Sequence, residues 1–156
     1  LWDANFLESQ LNLMKETGAE LVYASHRRID ENGKECLRPF IVSGTTDYKG
    51  LLKTCSISCL TGLYDSKRHG KVYLREDLKS LRDDFHYWLT IVKMTGKAYA
   101  NNKIIASYRI LGNSASRNKV IRPQFRIYYE IEKLGLIRSM YYLAHWAING
   151  FLKYRK

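Results

Sequence analysis

Two adjacent carboxylates in the segment Arg82-Asp83-Asp84-Phe85-His86-Tyr87-Trp88-Leu89 are, by type and spacing, the residues best suited to do chemistry. The pattern predicts that they stand at the start of a helix, where free N–H groups and the helix dipole hold a carboxylate ionised. An ionised carboxylate aimed at a pocket acts as a general base, taking the proton from an attacking hydroxyl. Trp88 falls one turn beyond Asp84 on the same helix face, so it would pack beneath or beside such a site. A plainer reading stays open: Asp is common at helix N-termini because it caps them.

A second feature is Tyr108-Arg109 followed by Asn113-Ser114-Ala115-Ser116. An Arg at a strand end beside small hydroxyl residues can hold a phosphate bidentately. The alternative is a polar turn before a helix. Cys55 and Cys59 lie four apart with no second pair, and His26, His69, His86 and His145 have no ligand spacing, so no metal site is expected within the chain. No strained nucleophile turn supports Ser–His–Asp catalysis. Neither a glycine-rich GxGxxG turn nor a phosphate loop is present.

The elements that must position these residues come from a 156-residue chain, 46% apolar and 26% charged, which is the composition of a folded domain. Its three cysteines argue against a disulfide framework and fit a reducing environment. No run of 18 apolar residues spans a bilayer. The formal net charge is +11, and residues 117–156 carry nine basic and two acidic side chains, so most of the excess lies in the last quarter. That quarter also holds Phe125, Tyr128, Tyr129, Tyr141, Tyr142, Trp146, Phe151 and Tyr154. Aromatics among cations suit an anionic membrane surface. Single-stranded nucleic acid, where bases stack on rings, ranks last. The bland reading makes the rings core and the charges a solvated face.

Along the chain, Phe6, Leu7, Leu11, Leu13 and Met14 predict a helix over 4–17, ended by Gly18. A strand over 21–29 follows, then a hairpin turn at Asp30-Glu31-Asn32-Gly33 and a return strand through Glu35-Cys36-Leu37. Residues 41–46 read as loop and 48–53 as a short helix. A strand is expected over about 57–64, then a helical turn capped by Asp65 and ending at Gly70. Residues 71–82 read as an exposed basic loop. The helix opened by Asp83 or Asp84 runs to Met94, with Gly96 past its end. Two short strands, 98–100 and 104–108, are expected to join through Asn101-Asn102. Pro123 should start a helix to about Leu134, and a second should cover 137–154. The class is α/β with a helical tail. An alternation that begins in mid-pattern, on Leu1 rather than Met, fits a C-terminal portion better than a complete fold.

Taken in order, Leu1-Trp2 leading a helix, then LVYASHRRIDENGK, SCLTGLYD, RDDFHYWLTIVKMTGKAYA and IIASYRILGNSASRNK resemble the second half of bacterial family 2 glycosyltransferases with the GT-A fold. These build O-antigen, capsule and other surface polysaccharides. The resemblance covers nearly all of the chain, and five segments agree in order and spacing. It implies that Asp84 is the catalytic base of an inverting transfer from a nucleotide-sugar donor to a hydroxyl acceptor, with Asp83 and Trp88 beside it. It implies that Arg109, Ser114 and Ser116 lie near the donor diphosphate, and that Thr61 and Gly62 line the acceptor side. Many relatives carry His or Arg two residues after that Arg; here Leu111 stands there.

The same resemblance implies a nucleotide-binding half and an Asp-x-Asp motif for Mg²⁺ or Mn²⁺ upstream of Leu1, so this piece alone should transfer sugar poorly. Residues 1–121 then form the acceptor-side portion of a catalytic domain, and residues 122–156 a basic, aromatic, amphipathic tail. The implied acceptor is a glycan or lipid-linked sugar, met in the cytoplasm at the inner face of the membrane. The competing hypothesis is a non-catalytic basic module that docks on membrane or nucleic acid through this tail.

Overall fold

The computed structural model describes residues 1–78, 82–111 and 120–154. The strand β1 (Leu21–Ile29) organises the rest, because its first six residues are all buried. Such a run needs cover on both faces. One cover is α1 (Phe6–Thr17), whose Phe6 packs with Ala24 of β1 and with Ile105 and Ala106. The other comprises α2 (Tyr48–Lys53) and α4 (Asp83–Thr95), whose Leu51, Leu52, Phe85, Trp88, Leu89 and Val92 pack with Leu21 and Tyr23. Residues alternate between the two covers, as strand geometry requires.

The sheet is mixed. Its order is β2 (Glu35–Phe40), β1, β5 (Ala98–Arg109), β3 (Thr45–Thr46), with β4 (Leu63–Tyr64) also paired to β1. The β1–β5 pairing is parallel and the others are antiparallel. Since α4 leads back into β5, its N-terminus and the carboxyl ends of β1 and β5 lie toward the same edge. Short α3 (Ser66–His69) is capped as expected: the Asp65 carboxylate accepts from the N–H groups of Lys67 and Arg68. The hairpin turn forms with Gly33 at φ 85°.

The α/β class and most elements are as the sequence predicts; several differ for identifiable reasons. The strand expected over 57–64 shrinks to Leu63–Tyr64, because the Ser58 carbonyl accepts from the N–H groups of both Thr61 and Gly62 and bends the segment into a turn. The two strands expected within 98–108 are one strand. Asn101, instead of turning the chain, bonds Ser9 and Gln10 through its amide and the Lys103 N–H through its oxygen, leaving an irregular register. Thr45–Thr46, expected as loop, pairs with Tyr99 and Ala98. In the expected exposed loop 71–82, Glu76–Leu78 form a 3₁₀ turn that buries Leu78. On α1, Leu7 and Leu11 face solvent; Phe6 and Gln10 are the buried pair.

The tail begins with α5 (Ile121–Arg126), continues as a π-helical turn over Ile127–Ile131, and breaks before α6 (Leu136–Tyr154). Lys133 and Gly135 both take positive φ at the break. Ile127 and Tyr128 are fully buried in the larger core, and Tyr142 and Leu143 of α6 pack against it.

Candidate active site

The first turn of α4 sits behind an unusual backbone. Arg82, the residue before it, has φ 66° and gives no side-chain cap. A left-handed non-glycine residue costs of order 1 kcal/mol and persists only where its surroundings fix it. Here they do: the Arg82 Nε donates to the buried Gln124 Oε1 of α5 at 2.7 Å, and its guanidinium lies over Phe85 at 4.9 Å and Trp146 at 5.4 Å.

Both carboxylates therefore occupy the first turn instead of capping it. Asp83 Oδ1 accepts from the Asp84 N–H at 3.0 Å, and Asp84 Oδ1 accepts from the Phe85 N–H at 2.8 Å. Each engages one oxygen on the helix start, where the dipole favours negative charge. Both residues are half-buried. Among the described residues neither forms an ion pair with a cation.

Trp88 is buried one turn on, and its six-membered ring packs against Gly62. A Cβ at Gly62 would stand 2.3 Å from two carbons of the indole. Thr61 is fully buried; its N–H bonds the Ser58 carbonyl and its own carbonyl accepts from the amide of Gln10. Cys59 is exposed, yet desolvation by its surroundings, then the charge on Asp84, push its thiol pKa up. The turn 58–62 is thereby placed beside the acidic pair. Next to it, Leu1, Trp2, Cys59 and Leu60 line a shallow depression of about 320 Å³. Trp2 stacks on Phe6 at 4.4 Å and donates its indole N–H to the Leu60 carbonyl.

So the fold brings Asp83, Asp84, Trp88, Thr61 and Gly62 into one neighbourhood. Arg109, the last residue of β5, donates to the Glu31 carbonyl of the hairpin turn. Ser114 and Ser116 lie outside the described residues. Among the described residues no three His, Cys, Asp or Glu side chains converge to hold a metal ion.

Sequence reasoning missed Glu132. Its side chain is only 1% exposed and meets the Tyr48 hydroxyl, Lys93 Nζ and, at 3.9 Å, His86 Nε2. The cluster joins α2, α4 and the π turn. Burial, aided by the Lys93 and Arg75 charges and opposed by Glu132, lowers the His86 pKa; burial and the bond to Glu132 raise that of Tyr48. Glu132 sits between Glu130-Ile131 and Lys133, a polar local context in which nothing sets it apart as buried.

No protein-family model matches the chain. Named relatives do. A Bacillus subtilis glycosyltransferase, TuaG, whose name ties it to teichuronic acid biosynthesis, is 27% identical over 154 residues, covering 97% of this chain and 60% of its own length. An uncharacterized glycosyltransferase of Haemophilus influenzae is 29% identical, with 96% and 60% covered. The Escherichia coli UDP-Glc:alpha-D-GlcNAc-diphosphoundecaprenol beta-1,3-glucosyltransferase WfgD is 28% identical, with 99% and 60% covered. Nearly all of the chain is therefore homologous to bacterial proteins named as glycosyltransferases, and it spans about 60% of their length.

Proposed function

We propose that this chain is the acceptor-side portion of an inverting, family 2 glycosyltransferase of GT-A type, acting from a nucleotide sugar in cell-surface polysaccharide synthesis. The observation that carries the reading is the match along almost the whole chain to proteins named as glycosyltransferases. On this reading residues 1–121 belong to the catalytic domain and residues 122–156 form its tail. The acceptor is a hydroxyl on a glycan or a lipid-linked sugar, a class supported by the name of the Escherichia coli relative.

Asp84 is the general base. Its Oδ1 accepts from the helix N–H, and it has no cation partner among the described residues. Its second oxygen is thereby available to an acceptor hydroxyl arriving over the depression beside Trp2 and Cys59. As that hydroxyl attacks the anomeric carbon, its proton passes to Asp84, the new glycosidic bond forms and the nucleoside diphosphate leaves. Single displacement by one base inverts the anomeric centre. Asp83 completes the turn that orients Asp84, and Trp88 forms the wall beneath. Arg109, Ser114 and Ser116 are assigned to the donor diphosphate, Thr61 and Gly62 to the acceptor side.

The test is Asp84→Asn in the protein that also carries its nucleotide-binding portion. Turnover should fall by about 10² or more, the usual contribution of a positioned base. Turnover within a few-fold of wild type overturns the assignment.

A further inference from the structure

The outward face of α6 is apolar for four turns. Ile137 is 86% exposed, Ile148 58% and Phe151 61%, and Met140, Tyr141, Ala144 and Ala147 are exposed between them. This spacing keeps all seven on one side of the helix. The opposite side is committed to the protein: Ser139 is buried, and Tyr142 and Leu143 pack on the core. From Ile137 to Phe151, fifteen residues and fourteen rises, the stripe is about 21 Å long. A continuous exposed apolar surface of this kind marks an interaction site.

Charge selects the occupant. From Lys133 to the C-terminus the sequence has no acidic residue. Lys133 and Arg138 are exposed at the start of the stripe, and Lys53 Nζ lies 5.9 Å over the Tyr141 ring. Glu130 and Glu132, the two acids of the last forty residues, are engaged by Arg126 and Lys93. A second copy would bring like charges together across the stripe. An anionic lipid surface meets them with the opposite sign. No helix among the described residues is long and apolar enough to cross a membrane.

We propose that this face lays α6 in the plane of an anionic lipid surface. Ile137, Ile148 and Phe151 enter the acyl boundary, Tyr141 sits at headgroup level, and Lys133 and Arg138 meet lipid phosphates. The inference names a partner for the proposed enzyme but does not depend on the chemistry of Asp84.

The experiment is flotation of the full chain with vesicles of phosphatidylcholine alone or with 30% phosphatidylglycerol, an anionic fraction of about one third chosen to reach a strong surface potential. Wild type should float with the anionic vesicles, lose binding in high salt and ignore the neutral ones. The Ile137→Ser/Met140→Ser/Ile148→Ser variant should bind at least about tenfold less, with thermal unfolding unchanged because all three side chains are more than half exposed. Arg138→Glu should weaken binding further at low salt, and Asp84→Asn should float like wild type. The proposal is overturned if wild type does not float with anionic vesicles, or if the triple variant floats equally well. A concentration-dependent dimer that the triple variant abolishes, without vesicle binding, assigns the face to a second copy and also overturns it.

Discussion

Gly62 and Trp88 are in direct contact: the indole occupies the space where any other residue at position 62 would place its Cβ. The contact fixes Trp88 under the first turn of α4, and only glycine allows it. Gly62→Ala should destabilise the fold by about 1–3 kcal/mol through overpacking. Unfolding in urea would show this as a lower midpoint at unchanged slope. An unaltered midpoint would mean that the ring moves aside freely.

Asp83 and Asp84 have different roles on the proposed mechanism, so their variants should separate kinetically. Asp84→Asn should lower kcat and kcat/KM together by about 10². Asp83→Asn keeps an oxygen that can accept from the Asp84 N–H, so kcat should change by no more than about tenfold, in line with a lost dipole contribution. Steady-state kinetics on both variants checks the order of the two effects.

The Glu132 cluster predicts an acid-side loss of stability. The lowered His86 pKa means that the folded state holds a neutral ring where the unfolded chain takes up a proton. Stability should therefore decline as pH falls below about 6.5, the ordinary histidine value, until the folded-state ring is itself protonated. His86→Phe should remove that part of the slope between pH 7 and 5. Glu132→Ala should cost about 1–2 kcal/mol at pH 7, mostly by leaving the half-buried Tyr48 hydroxyl without its acceptor. Lys93 is 47% exposed and can turn to water, which limits the loss.

Asp3 and Arg27 form a two-pronged ion pair at 2.8 and 2.9 Å, anchoring the segment before α1 to β1. The Arg27 hydrogen bond lowers the Asp3 pKa. Its contribution is present above the unfolded value near 4 and is lost as pH falls through the lower folded value. Asp3→Asn should cost about 1 kcal/mol at pH 7, the pair being partly exposed. The gap between variant and wild type should close toward pH 2 in denaturant melts.

What the sequence made legible follows from how local each signal is. The Asn32-Gly33 turn, the Asp65 cap and the glycines ending α1 and α4 act within a few residues, and all are placed as expected. The turn at 58–62 depends on Trp88, twenty-six residues away, so its apolar residues read as strand. Gln10 and Asn101 are polar residues in the interior whose partners are each other, Ser9 and Thr61; no local pattern reveals that pairing. At the site, the acidic pair and Trp88 were legible because they share one helix. The arginine before them takes its conformation from the tail, and that was not.

Arg82 joins three parts of the molecule at one side chain: Phe85 in α4, Gln124 in α5 and Trp146 in α6. Its constrained backbone directly precedes the two aspartates. The carboxylates are consequently aimed by a buttress that belongs to the tail, not to the sheet. A force that shifts the tail is felt at the acidic pair through this guanidinium, so whatever the tail rests upon gains a mechanical hold on the first turn of α4.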